Sequence, residues 1–364
     1  MISTSFEYKK ASSVEEAISL LNEDSKILAG GHSLIPAMKL RLNQPETLID
    51  ITKIPGLRSI KDGGDHIIIG ANSTHHDIVH SDLIKSSAAI LSQGGDQIGD
   101  RQIRNKGTLG GSIAHADPAA DWPAMLIACD ATIRVQGASG QRDISANDFF
   151  TGFFETALND GEIITEVHVP KQGANVRGYY AKFPQPASRF ARVGCAAVVE
   201  FDGNRCKKVN VAYNGVIDHA YRDGAVQHGL EGREFNAENV ASSANLAGEK
   251  EDILSDLYAS ERYRKHLTKV YTKRALMALD NRSDDLTKVE GVGPKIAELL
   301  NNAGIQNFGQ LANTSVDAIK AILVAAGGIY ASKNPGTWPA QAKMAANGQW
   351  DELKKWQDEL DGGV

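Results

Sequence analysis

Leu28-Ala29-Gly30-Gly31-His32-Ser33-Leu34-Ile35-Pro36 and Thr108-Leu109-Gly110-Gly111-Ser112-Ile113-Ala114-His115-Ala116-Asp117-Pro118-Ala119-Ala120-Asp121 are the two stretches on which the reading of this chain turns. Each sets adjacent glycines beside small hydroxyl residues. Without a Cβ in the way, such a loop can turn its backbone N–H groups on an anion at close range. Two of them in one domain point to a ligand with a pyrophosphate and a long polyol tail, gripped from two sides. That describes FAD better than it describes a mononucleotide. The first loop lacks the G-x-G-x-x-G spacing of a Rossmann nucleotide site, so that fold is disfavoured.

Within the first loop the amides of residues 30–33 can form an anion nest, and the Ser33 hydroxyl can donate to a phosphate oxygen. In the second, Thr108 offers a hydroxyl donor, and Gly110 and Gly111 permit close approach to backbone. Asp121 stands just ahead of an apolar helical run. There it can accept hydrogen bonds from ribityl hydroxyls, or serve as an N-cap or first-turn acid. His115 and Asp117 invite a metal reading, but no third ligand has suitable local spacing, so no metal site is expected.

Working outward, residues 13–22 read as a short amphipathic helix capped by Ser12 or Ser13, with Glu15 and Glu16 in its first turn. Residues 26–29, 47–51 and 66–70 read as strands, and residues 73–98 as helical. Residues 119–128 read as helix; 131–135 and 162–170 read as strands. Residues 196–201 and 207–213 read as two antiparallel strands about Asp202-Gly203-Asn204-Arg205, Asp-Gly being a strong turn signal. Residues 236–280 read as largely helical. Asn281-Arg282-Ser283-Asp284-Asp285 is polar and linker-like, and a compact helical segment follows it.

The bulk composition narrows the function classes. With 364 residues, two or three domains are expected. A net charge of −6 argues against nucleic acid as the default partner. The N-terminus shows no apolar signal region, and no apolar run has the length of a membrane span, so a cytoplasmic protein is expected. Cys129, Cys195 and Cys206 form no C-x-x-C pair, which disfavours an iron–sulfur or zinc site built by this chain.

The two loops, extended by Ala37-Met38-Lys39-Leu40-Arg41 and by Trp122-Pro123-Ala124, strongly resemble the FAD-binding medium subunit of molybdenum hydroxylases. That family includes aerobic carbon monoxide dehydrogenase and bacterial xanthine dehydrogenase relatives. The resemblance covers about residues 1–280. It implies an α+β chain: a two-subdomain FAD-binding fold of the vanillyl-alcohol oxidase/MurB type over 1–176 (about 1–56 and 57–176), then an α+β C-terminal flavoprotein domain over 177–280. It also implies a site. Ala29, Gly30, Gly31, His32, Ser33 and Leu34, with Thr108, Gly110, Gly111 and Ser112, would hold the pyrophosphate. His115 and Asp121 would lie near the ribityl chain, and Ile164 against the flavin or its adenine side. Lys182, in Tyr179-Tyr180-Ala181-Lys182-Phe183, matches a lysine near the isoalloxazine, where a cation would stabilise the anionic reduced flavin. Read without the family, Lys182 is a solvated surface lysine. Where some members place a tyrosine over the flavin, this chain has Phe190, which stacks but cannot donate a hydrogen bond.

The resemblance further implies partners: a large subunit with a molybdopterin cofactor that oxidises the organic substrate, and a small subunit with two [2Fe–2S] clusters that relays electrons to FAD. A heterotrimer or its dimer is expected. The rival readings are a stand-alone FAD-dependent oxidase or dehydrogenase, and a nucleic-acid-binding role for the tail.

Residues 285–364 extend past the usual end of such subunits. Leu286-Thr287-Lys288-Val289-Glu290-Gly291-Val292-Gly293-Pro294-Lys295-Ile296-Ala297 resembles a helix-hairpin-helix motif, with Pro294 well placed to open a helix. DNA-binding versions touch a phosphate with hairpin amides. Here seven lysines and no arginine face nine acidic residues, a net charge of −2 that disfavours nucleic acid. A small all-α protein-interaction or assembly module is expected.

Overall fold

A computed structural model describes residues 2–250, 252–280 and 284–360. The first three residues of the linker expected at 281–285 lie outside the described residues. The chain forms two compact units. One takes in positions up to 232 together with 243–272; the other takes in 233–242 and the positions from 273 on.

The first unit opens with three short strands, β1 (Glu7–Lys10), β2 (Ser25–Leu28) and β3 (Thr47–Asp50). They form a parallel sheet in the order β1-β3-β2. Parallel neighbours need crossovers. Between β2 and β3 the crossover is the first glycine loop and the helix Leu34–Lys39. The helix Val14–Leu20 joins β1 to β2 and is capped by Ser13, whose side chain accepts from the Glu16 N–H. Ala11, Ala17, Ile49, Ile51, Ile54 and Leu57 fill the core of this layer.

Next come β4 (Ile60–Asp62), β5 (His66–Gly70), β6 (Thr132–Gly137), β7 (Gly140–Ser145), the small hairpin of β8 (Phe150–Gly152) and β9 (Glu155–Thr156), and β10 (Ile163–Pro170). An antiparallel sheet runs β4-β5-β10-β6-β7. Six helices lie between β5 and β6, among them Leu109–His115, which carries the second glycine loop, and Asp121–Ala128. Every residue of Asp121–Ala128 is buried. A helix apolar all round has no face for water, and this one sits inside the main core.

That core has a second wall. β11 (Val176–Pro184), β12 (Ala191–Asp202), β13 (Arg205–Asn214) and β14 (Tyr221–Arg222) form an antiparallel meander. Gly203, at φ +58°, makes the turn between β12 and β13, where Asp202 pairs with Arg205. Ile67, Ile69, Ile133 and Val167 of the five-stranded sheet share one apolar cluster with Leu126 and Ile127 of the buried helix and with Ala196, Val198 and Ala212 of the meander.

In the second unit Pro294 takes a first-turn position of the helix Pro294–Asn302, and Gly293 caps it. Gly291 turns at φ +90°. The helices Phe308–Asn313, Val316–Ala326, Trp338–Ala346 and Trp350–Glu359 follow. Leu286, Val289, Leu300, Leu311, Leu323 and Trp338 are among the residues of its core. Fully buried Gln341 pins the turn. Its Oε1 accepts from the Glu290 N–H and from Gln357 Nε2, both at 2.8 Å. Among the described residues no helix is long and apolar enough to cross a membrane.

Candidate functional site

The first glycine loop leaves β2 at Leu28 and turns at Gly31, whose φ of +71° favours glycine. Among the described residues nothing accepts from the N–H groups of Gly30, Gly31, His32, Ser33 or Leu34. Five consecutive unpaired donors at a surface make an anion-binding concavity. His32 folds back, with Nδ1 2.9 Å from the Gly30 carbonyl oxygen. The Ser33 side chain makes no capping bond, which leaves its hydroxyl free.

The second loop is built differently, and here the sequence reading needs correction. Its amides are already used. The Leu109 N–H donates to the Ser73 carbonyl at 3.0 Å, Gly110 to Ala71 at 2.8 Å, and Ser112 to Thr108 at 3.0 Å. The Gly111 N–H donates to Thr108 Oγ1 at 3.1 Å, which makes Thr108 the N-cap of Leu109–His115. Gly110 admits protein rather than ligand: a Cβ on it would stand 2.6 Å from that of Ala71. What the loop retains is the hydroxyl hydrogen of Thr108 and the exposed backbone at Gly111.

The two loops meet. A Cβ on Gly30 would lie 2.3 Å from the Lys106 carbonyl oxygen and 2.9 Å from the Gly107 Cα. Gly107 immediately precedes Thr108, so the nest of the first loop abuts the entry to the second. Sequence reasoning passed over Gly107, a single glycine outside the Gly-Gly pair.

Asp121 and Lys182 are brought together, but they face each other. Lys182 Nζ lies 2.7 Å from Asp121 Oδ2, with side chains only 2 % and 5 % exposed. Lys182 also donates to the Gln97 carbonyl at 3.1 Å. The other Asp121 oxygen accepts from the Tyr180 hydroxyl at 2.5 Å. Burial and the adjacent carboxylate push the Tyr180 phenol well above its ordinary value, so it stays protonated and donates. Lys182 is therefore no solvated surface lysine; its charge is compensated in contact. Both carboxylate oxygens of Asp121 have protein partners.

The remaining residues divide. His115 is exposed at the end of its helix and packs its ring against Phe154, ring centres 4.9 Å apart and planes tilted by 50°. Asp117 turns inward to its own backbone, its Oδ1 accepting from the Ala119 N–H at 2.8 Å. Ile164 packs in the main core, so its side chain serves packing. Phe190 stands 45 % exposed beside Ala191, whose N–H donates to the Ala119 carbonyl. Among the described residues no group of three His, Cys, Asp or Glu side chains could hold a metal ion. Cys129, Cys195 and Cys206 are buried free thiols, and burial pushes Cys129 up to about 12.

Residues 4–172 match the family described as FAD binding domain in molybdopterin dehydrogenase, and residues 178–279 the CO dehydrogenase flavoprotein C-terminal domain. Residues 286–346 match an RS2/RL21/YNQ2 HHH domain. The carbon monoxide dehydrogenase medium chain of Hydrogenophaga pseudoflava is 37 % identical over 76 % of this chain and 98 % of its own. The nicotine 6-hydroxylase medium subunit of Paenarthrobacter nicotinovorans is 34 % identical over 76 % and 98 %. Among solved structures, carbon monoxide dehydrogenase from Hydrogenophaga pseudoflava superposes with a TM-score of 0.74 at 38 % identity, covering 77 % of this chain and 98 % of that one. Quinoline 2-oxidoreductase from Pseudomonas putida 86 gives 0.73 at 29 % identity, over 77 % and 98 %.

Proposed function

The chain belongs to the FAD-binding medium subunits of the molybdopterin dehydrogenases, and from that membership we propose that it is the electron-transfer subunit of a heteromeric molybdenum hydroxylase. In this reading a large molybdopterin subunit oxidises the substrate, and a small subunit passes the electrons through its [2Fe–2S] clusters. This chain receives them and delivers them to an external acceptor, in a cytoplasmic heterotrimer or its dimer. FAD, when bound, supplies a centre that takes up two electrons and returns them singly or as a pair.

The observation that carries the reading is the run of five unpaired amides, Gly30 to Leu34, set against the entry of the second loop. Those amides and the Ser33 hydroxyl hold a pyrophosphate, with Thr108 donating its hydroxyl hydrogen from the other side. Ala29 leads the chain into the nest. Gly110 and the amide of Ser112 support the loop from beneath rather than touching ligand. His115 and exposed Phe190 offer aromatic surface, while Lys182 and Asp121 act as one neutral unit behind it.

The visible absorption spectrum of the natively purified protein tests this. Flavin bands with added iron–sulfur absorbance are expected. Flavin alone, with substrate turnover by the isolated chain, would favour a stand-alone oxidase or dehydrogenase. A folded sample without flavin would overturn the assignment. For the tail we propose protein contact, since its net charge is −2. Binding of any DNA or RNA at low salt would overturn that part.

A further inference from the structure

His75 is a residue the flavin reading leaves unused. It opens the helix His75–His80, whose N-cap Thr74 forms a capping box with Asp77. The ring is 5 % exposed. The Trp122 indole N–H donates to His75 Nδ1 at 2.9 Å. An indole nitrogen can only donate, so Nδ1 must be the unprotonated nitrogen and the hydrogen sits on Nε2. That Nε2–H has no acceptor among the described residues. Its place is defined by Gly107: a Cβ there would stand 2.5 Å from His75 Nε2. Gly107 in turn abuts Gly30, the first residue of the nest.

With Nδ1 satisfied, Nε2–H is the open donor of a residue only 5 % exposed, and it is not among the fully buried unpartnered atoms of the described residues, so the seam can reach it. Resting on the reading of residues 30–34 as a pyrophosphate site, we propose that His75 is a further cofactor-contacting residue, its Nε2–H donating to a phosphate oxygen of the dinucleotide at the seam of the two glycine loops. The imidazole does this uncharged. Burial, with His32 and Arg104 nearby, pulls its pKa down to about 4. Trp122 locks the tautomer, so the donor is set before the ligand arrives. The missing side chains of Gly30 and Gly107 keep the seam thin.

The test uses the full chain freed of flavin and titrated with FAD and with riboflavin, which has the ring and ribityl chain but no phosphate. His75→Phe keeps the ring shape and removes the donor. It is expected to weaken FAD roughly five- to thirty-fold and to leave riboflavin within about twofold. His75→Gln restores an N–H donor and should recover part of the FAD loss. Unchanged FAD affinity, or equal losses for FAD and riboflavin, would overturn the proposal and leave His75 a packing residue. If the variants do not fold, the wild-type chain still decides. Its imidazole Nε2–H resonance should move on adding FAD and stay in place with riboflavin; the same response to both ligands would overturn it. Failure of the unaltered chain to bind FAD at all would instead remove the pyrophosphate reading beneath it.

Discussion

A methyl group on Gly30 would meet two backbone atoms, the Lys106 oxygen at 2.3 Å and the Gly107 Cα at 2.9 Å, and neither can swing aside. Gly30→Ala should force the loops apart at a cost of about 1–3 kcal/mol, and the flavin content of the purified protein should fall about tenfold. Full retention would show that the seam does not hold the ligand. Gly31 is constrained otherwise, by its φ of +71° and by the flexible end of Ile35. A side chain there costs about 1–2 kcal/mol in backbone strain. Lys182 and Asp121 test a different idea. Breaking a buried pair strands a charge, so Lys182→Met or Asp121→Asn alone should lower the unfolding free energy by about 3–5 kcal/mol. The double variant should recover much of that in urea denaturation, and simple additivity of the two losses would count against a coupled pair. The single variants should also move the flavin midpoint potential in opposite directions. Lys182→Met leaves a negative charge and lowers it; Asp121→Asn leaves a positive one and raises it. A shift of the same sign in both would refute the compensation. None of this follows from residue type, because Lys182 lies 61 positions from the carboxylate that makes it buried.

Elements whose apolar residues point inward were legible in the sequence. The hairpin about Gly203 was, because Asp-Gly marks a turn between two apolar strands. The buried helix Asp121–Ala128 was, through its unbroken apolar run. Two edge strands, β1 and β7, were not. β7 has one buried residue in six, and β1 none, so neither shows the period-two alternation that betrays a half-buried strand. Residues 73–98 read as one helical stretch, yet the chain breaks it into His75–His80, Asp82–Ser87 and Ala89–Gly95. Ser81 caps the second of these, and Ala88, at φ −157°, ends it. In the site, the Gly-Gly pairs marked both loops but not their division of labour. The first keeps its amides free, since the Lys106 carbonyl that abuts Gly30 accepts from none of them. The second gives its amides to Ala71 and Ser73, a pairing only the fold reveals. Gln341 gives a test at this scale. Gln341→Leu removes the acceptor of the Glu290 N–H and should destabilise the second unit by about 1–3 kcal/mol. Hydrogen exchange at Glu290 should quicken, while flavin content stays the same.

For the whole molecule, His75 sets a pH dependence. Its folded pKa of about 4 lies below the ordinary 6.5, so between those values the unfolded chain takes up a proton that the folded chain refuses. Stability is therefore fully present above pH 6.5 and is lost as pH falls toward 4, by about 3 kcal/mol. Flavin-free protein should show this in urea unfolding, and His75→Phe should flatten that part of the profile. The tail permits a cleaner cut. Its apolar core draws on residues 286–353, and the solved carbon monoxide dehydrogenase chain is covered to 98 % by 77 % of this one. Removal of residues 285–364 should leave the flavin-to-protein ratio unchanged, and loss of flavin would make the tail part of the site. The meeting of Gly30 with Gly107 reaches further still. One glycine belongs to the layer of the three-stranded parallel sheet, the other immediately precedes Thr108, the N-cap of the helix Leu109–His115, and a dinucleotide bound across them, as proposed, would act as a rivet. At a hundredfold excess over its dissociation constant it would stabilise the chain by about 2.7 kcal/mol. Scarcity of vitamin would then shorten the lifetime of the polypeptide itself, since an unriveted chain opens more often to proteases.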